Sequence, residues 1–150
     1  MNSGYFVFAI SVGFAAVLQG ALNRRVAQAW GLPAVAMLNS LVVLAASLAL
    51  YVAARNGLTG NDLFRHRAEA FSQMRWWHIA PGMLGLMIVL GLPLSISKLG
   101  AQATFALVVA GQMITGIMWD RMVEGIAISA WRLGGLLLVM AGAALVNVRS

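Results

Sequence analysis

The side chains of this sequence that could bind or transfer anything are few, mostly neutral and widely spaced. Gln19 and Asn23 stand four residues apart, which puts both amides on one face of a helix. Asn39 and Ser40 are adjacent, and Thr115 follows Gln112 by three residues, which also shares a helical face. Carboxamides and hydroxyls donate and accept hydrogen bonds without carrying charge. Their chemistry is recognition: they line a path for a polar solute, or they tie one helix to another. Asp120 and Glu124 are the carboxylates nearest to them in sequence, with Arg121 and Arg132 at hand as ion-pair partners. No nucleophile, base and acid stand together, so no catalytic residue is assigned and an enzyme is not expected. Two histidines and four acids make no metal set, and the absence of cysteine removes thiolate ligands and disulfides alike. Neither a metal nor a cofactor is expected.

These polar residues sit in unusually apolar surroundings. Ten basic and four acidic side chains are all the charge in 150 residues, 9% of the chain, against 61% hydrophobic. A soluble domain carries about 25% charged residues. So few charges could not cover the surface of a water-soluble fold. This excludes a soluble enzyme, a soluble nucleic-acid binder and a disordered segment. The net charge of +6 is no nucleic-acid footprint either, because the basic residues are scattered and form no stripe. The expected partner is the lipid bilayer.

Five apolar runs, at about 4–22, 33–54, 76–97, 99–119 and 130–148, are each near the length of roughly 20 residues that crosses a bilayer core. Lipid cannot satisfy an open strand edge, so the runs must be helices. The expected fold is an all-α membrane protein: one domain over residues 1–150, a bundle of five transmembrane helices. Phe64, Ala68, Phe71 and Met74 recur at helical spacing among Arg65, Arg67 and Glu69, which predicts a short interfacial helix between spans two and three. Ala27-Gln28-Ala29 resembles a cleavage site, but Arg24 and Arg25 follow the first run rather than precede it, so that run reads as an uncleaved span. Trp30, Trp76, Trp77, Trp119 and Trp131 all fall near span ends, where an amphipathic ring anchors at headgroup level. Ser129 is placed to cap the fifth helix, with Arg132 in its first turn. Pro81 opens the third helix, and Pro93 interrupts its last part. Gly13, Gly20, Gly85, Gly111 and Gly135 are the expected positions of close helix packing.

Five spans leave the termini on opposite sides. Arg24, Arg25, Lys98 and Arg149 then lie on one face, and Arg55, Arg65, Arg67, Arg75, Arg121 and Arg132 on the other. Four against six is a weak bias under the positive-inside rule. Insertion in both orientations, and pairing of the chain with its own inverted copy or with a related chain, follows as an expectation.

The stretch Lys98-Leu-Gly-Ala-Gln-Ala-Thr-Phe-Ala-Leu-Val-Val-Ala-Gly-Gln112, with Asp120 beyond it, resembles the YdcZ family of the drug/metabolite transporter superfamily. So do Gln19-Gly-Ala-Leu-Asn23, Pro81-Gly-Met-Leu-Gly85 and Arg132-Leu-Gly-Gly135, and the resemblance covers essentially the whole chain. It implies a multi-pass exporter of the bacterial inner membrane, similar to families that build antiparallel two-subunit assemblies. The chain departs from the pattern after Asp120. The family continues with His, Phe and Gly, whereas Arg121, Met122 and Val123 stand here, so no role for a histidine carries over.

The resulting expectation is a secondary transporter of an unknown small solute, working as an antiparallel, dual-topology homodimer. Gln19, Asn23, Asn39, Ser40, Gln112 and Thr115 form its substrate pathway, and Asp120 with Arg132 is a coupling or ion pair. A dual-topology channel lined by the same amides is a second possibility, and a non-transporting membrane assembly protein, in which the amides only hold helices together, is a third.

Overall fold

A computed structural model describes residues 3–58 and 74–147. Every regular element among them is helical, as the hydrogen-bond argument requires. There are five α-helices: α1 (Ser3–Trp30), α2 (Leu32–Arg55), α3 (Ala80–Leu99), α4 (Ala101–Met122) and α5 (Ala130–Asn147), with a 3-10 turn at Trp76–Ile79 before α3. Four stretches, Gly4–Trp30, Leu32–Arg55, Trp76–Leu99 and Ala101–Met122, are long and apolar enough to cross a membrane. The apolar part of α5, Ala130–Val146, is shorter. The interfacial helix expected around Phe64 to Met74 falls almost wholly outside the described residues.

The helix ends differ from the apolar runs where charges follow the run. The first run stops at residue 22, but α1 continues through Arg24 and Arg25 to Trp30. At a rise of 1.5 Å per residue its 28 residues span about 42 Å, which exceeds the hydrocarbon core. Arginine is a good helix former, so the end of an apolar run need not end a helix. Ala27-Gln28-Ala29 lies inside this helix.

Glycines do the punctuating. Gly31 takes φ 82° between α1 and α2, its N–H donating to the Ala27 carbonyl at 2.9 Å. Gly100 takes φ 80° between α3 and α4. Its N–H donates to Ile96 O at 3.0 Å and its carbonyl accepts from Thr104 N–H at 3.2 Å, so one residue closes a helix and opens the next. Positive φ is cheap only for glycine, and each of these joints therefore needs no longer loop. α2 ends with Leu58 N–H on Ala53 O and Gly57 N–H on Ala54 O, the paired bonds of a Schellman motif. Ser129 caps α5 as its position suggests: its Oγ accepts from Arg132 N–H at 3.3 Å. Pro81 lies in the first turn of α3, and the helix runs on through Pro93, which is buried.

By internal contacts the chain divides into two units. The first joins Met1–Arg24 to Leu92–Ser150 and so contains most of α1, the end of α3, α4 and α5. Its most extensive helix packing is α4 against α5. Its buried residues are mostly small or of middling size: Gly20, Asn23, Ala103, Thr104, Ala110 and Ala143, with Ile96 and Pro93. The second unit, Arg25–Gly91, holds α2 and the first part of α3, with Val35 and Ala36 buried. Phe6, Phe8, Phe14, Leu44, Leu48, Leu137 and Leu138 are exposed, the reverse of a water-soluble core and the arrangement lipid favours.

Gly20 is the closest helix approach among the glycines. A Cβ there would sit 3.1 Å from Ile96 Cδ1, 3.1 Å from Phe105 Cζ and 3.5 Å from Leu92 Cβ. At Gly13, Gly85, Gly111 and Gly135 nothing stands within 4 Å. Gly20→Leu should therefore lower stability by about 1–3 kcal/mol through overpacking, whereas Gly13→Leu should cause no loss. Unfolding curves of the two variants in mixed micelles test this, and equal midpoints would remove the contact.

Candidate functional site

The polar residues of the first unit gather at two places. The first is the level of Gly20. Gln19 and Asn23 flank it on α1, and the absence of a side chain at Gly20 lets α1 reach Leu92 and Ile96 of α3 and Phe105 of α4. Asn23 is only 8% exposed, while Gln19 is exposed. A buried amide in such a setting must be hydrogen-bonded to be tolerated, and both Gln19 and Asn23 have a partner. Arg24 follows directly. It is half-buried, and its Nε has no hydrogen-bond partner. In the sequence Arg24 reads as a flanking charge, and its place one residue after Asn23 is the signal that could have found it.

The second place is the C-terminal half of α4. Gln112, Thr115, Gly116 and Trp119 are all exposed. Spacings of three, four and seven residues put them on one face. Gln112 is the middle of the helix, eleven residues past Ala101 and ten before Met122. Just beyond this face, the Trp119 indole N–H donates to Glu124 Oε1 at 3.2 Å. This draws Glu124 to the end of the Gln112 face, a contact at a five-residue separation that helical periodicity does not suggest.

Other polar groups are spent locally. The Thr104 hydroxyl donates to its own helix at Gly100 O (2.7 Å), Ser97 to Leu94 O (2.6 Å) and Ser11 to Val7 O (2.8 Å). Asn39 and Ser40 belong to the second unit. Asn39 is half-buried and donates to Val35 O at 3.1 Å, one turn back; Ser40 is exposed.

Between α4 and α5, Arg132 Nη1 donates to Asp120 Oδ2 at 2.9 Å. Asp120 has thus Arg132, across the turn, as its partner rather than its neighbour Arg121. The tryptophans Trp30, Trp76, Trp77, Trp119 and Trp131 are all exposed, at or near helix ends. Trp77 meets the His78 ring edge-on at 4.0 Å, and His78 Nδ1 accepts from Arg75 N–H at 3.1 Å. Among the described residues no three His, Cys, Asp or Glu side chains are grouped to hold a metal ion.

The chain matches the family model described as "Putative inner membrane exporter, YdcZ" over residues 4–145. It is similar to the "Inner membrane protein YdcZ" of Escherichia coli (strain K12), with 34% identity over 149 residues, 95% of this chain and 94% of the relative. No solved structure matches it.

The Asp120–Arg132 pair is 38% and 48% exposed at its two side chains. Exposed pairs contribute at most about 1 kcal/mol. Asp120→Asn should therefore shift the thermal midpoint in detergent only slightly, by an amount that shrinks in high salt. A large, salt-independent loss would mean that the pair is buried in the working assembly.

Proposed function

The chain belongs to the YdcZ family and is an inner-membrane protein, and from that membership we propose that it is a small-solute secondary transporter of the drug/metabolite type. In this reading it exports its solute as an antiparallel homodimer, and all five helices cross the bilayer in one domain. At 18 residues, α5 spans about 27 Å, close to the hydrocarbon thickness.

The observation that carries the proposal is Gln112 with Thr115, exposed halfway along an apolar helix. Hydrocarbon leaves an amide unsatisfied there, so the position favours a polar interior made by two subunits. Transporters are commonly built from two inverted halves with the site near the midplane. A single chain of this length supplies one half. The near-even basic charges, four against six, allow the same chain to supply the other half in the opposite orientation. Gln19, Asn23, Gln112 and Thr115 of both copies line the pathway in this proposal, and Asn39 and Ser40 are its less central members. Rocking of one copy against the other gives alternating access. Neutral amides suit a polar organic solute rather than a bare cation, because no carboxylate lies mid-span in any described helix to take one.

Proteoliposomes with the purified chain should exchange one or more solutes from a panel of radiolabelled polar organic compounds, slowly and saturably. Gln112→Leu should reduce that exchange at least tenfold. Undiminished exchange by the variant would remove Gln112 from the pathway, and unsaturable passive flux would replace the carrier with a channel.

A further inference from the structure

Arg24 and Arg25 are neighbours on α1 and differ in state. Arg25 is exposed, whereas Arg24 is half-buried, and its Nε is closed off from solvent without a hydrogen-bond partner. Arg24 follows Gly20 by four residues, so it lies on the same helix face, one turn or about 6 Å further along. At Gly20 that face meets Leu92 and Ile96 of α3 and Phe105 of α4. Successive spans alternate in direction, so α1 runs with α3 and against α4. One turn on from Gly20 is then the level of the Gly100 joint, where α3 ends and α4 begins.

The acids of the chain lie elsewhere. They are Asp62, Glu69, Asp120 and Glu124. Five spans put all four on one face of the membrane: two in the segment between spans two and three, two at the end of span four. The other face carries Arg24, Arg25, Lys98 and Arg149 and no acidic side chain. Asp120 stands about 28 Å along α4 from Ala101. It is taken by Arg132, and Glu124 accepts from the Trp119 indole. The start of α4 adds to the imbalance. Its first N–H groups have no acceptor within the helix, Gly100 offers no side chain to cap them, and the positive end of the helix dipole lies there. A guanidinium drawn among helices near such an end, with no carboxylate on its side of the membrane, is an uncompensated charge.

We propose that Arg24 binds the carboxylate or phosphate group of the transported solute. The inference rests on the transporter reading and narrows its solute to an organic anion or zwitterion. A guanidinium grips either group through two parallel N–H donors, and the half-exposed state of Arg24 leaves part of its side chain within reach. Asn23 directly before it, and Gln19 one turn before Asn23, are amides of the proposed pathway, so the charge stands at the end of that path. A lipid headgroup carries the same phosphate, but the exposed Arg25 is the better placed of the two to meet one.

Maltoside micelles contain neither carboxylate nor phosphate. The full chain purified in them is titrated with succinate and with inorganic phosphate at constant ionic strength, chloride making up the balance. At least one of the two should raise the thermal midpoint saturably. Arg24→Gln should abolish the rise, and Arg25→Gln should leave it unchanged. Arg24→Lys should need at least threefold more anion, because an ammonium lacks the two-donor geometry. Without added anion, Arg24→Gln should melt no lower than the unaltered chain, since the charge it removes has no partner. A lower midpoint would make Arg24 a structural tie and overturn the proposal. No rise in the unaltered chain, or the same rise in Arg24→Gln, would overturn it too. So would retained phospholipid that Arg24→Gln releases, because the site would then belong to a headgroup. In proteoliposomes the exchanged compounds should be anionic or zwitterionic, and Arg24→Gln should slow their exchange at least tenfold. Undiminished exchange would remove Arg24 while keeping the transporter. An Arg24-dependent anion response without exchange of any compound would keep the anion site and remove the transporter.

Discussion

Hydrocarbon offers no hydrogen bonds, and nearly every local feature of this chain answers to that. Each backbone N–H and C=O must find its partner within its own helix, so every regular element among the described residues is helical. The joints between helices are correspondingly tight. Gly31 and Gly100 are each the one non-helical residue between two helices, and Gly100 serves two helices at once. The same constraint explains where the hydroxyls go. Ser11, Ser97 and Thr104 turn back onto carbonyls of their own helices, as does the Asn39 amide. A polar group that is left outward on such a helix, as Gln112 is, then stands out as one that something else must satisfy.

Between helices the balance is different from that in water. Lipid tails are as apolar as leucine, so apolar burial does little to hold helices together, and close fit decides instead. The large side chains accordingly face outward, and the buried positions are taken largely by glycine, alanine and threonine. Gly20 is where this matters most: a hydrogen in place of a side chain lets Ile96 and Phe105 approach α1 to distances that a Cβ would contest. Charges stay toward the helix ends, and two of the acids find partners there. Arg132 reaches Asp120 from the next helix, and Glu124 accepts a hydrogen bond from the indole N–H of Trp119.

Much of this was legible from one-dimensional pattern. Lipid imposes a single hydropathy threshold and a single length, so four long spans and their helical nature follow from apolar runs alone. Ser129 as a cap and Pro81 in a first turn follow from stereochemistry that acts within a few residues. α1 runs eight residues past the end of its apolar run, because hydropathy reports where lipid ends and not where a helix ends; Arg24 and Arg25 follow the run without leaving the helix. Among the candidate polar residues, the presence of amides inside apolar helices was plain, but their states were not. Nothing in the sequence distinguishes Asn23, which is buried, from Gln112, which is exposed.

What the sequence determined by itself is the solvent and the secondary structure: a chain whose long apolar runs carry no charge in their middles has to be helical and has to sit in lipid. It also determined the family, since the Gln19-to-Asn23 and Lys98-to-Gln112 elements are short and local. Only the tertiary structure decided which of five candidate packing glycines is in close contact, that Asp120 takes Arg132 rather than Arg121, and that Gln112 faces outward. The reason is physical. A helical face is set by a period of 3.6 residues, but which face meets a neighbour depends on rotation and crossing, and these are fixed by contacts between residues far apart in sequence, such as Gly20 with Ile96 and Phe105.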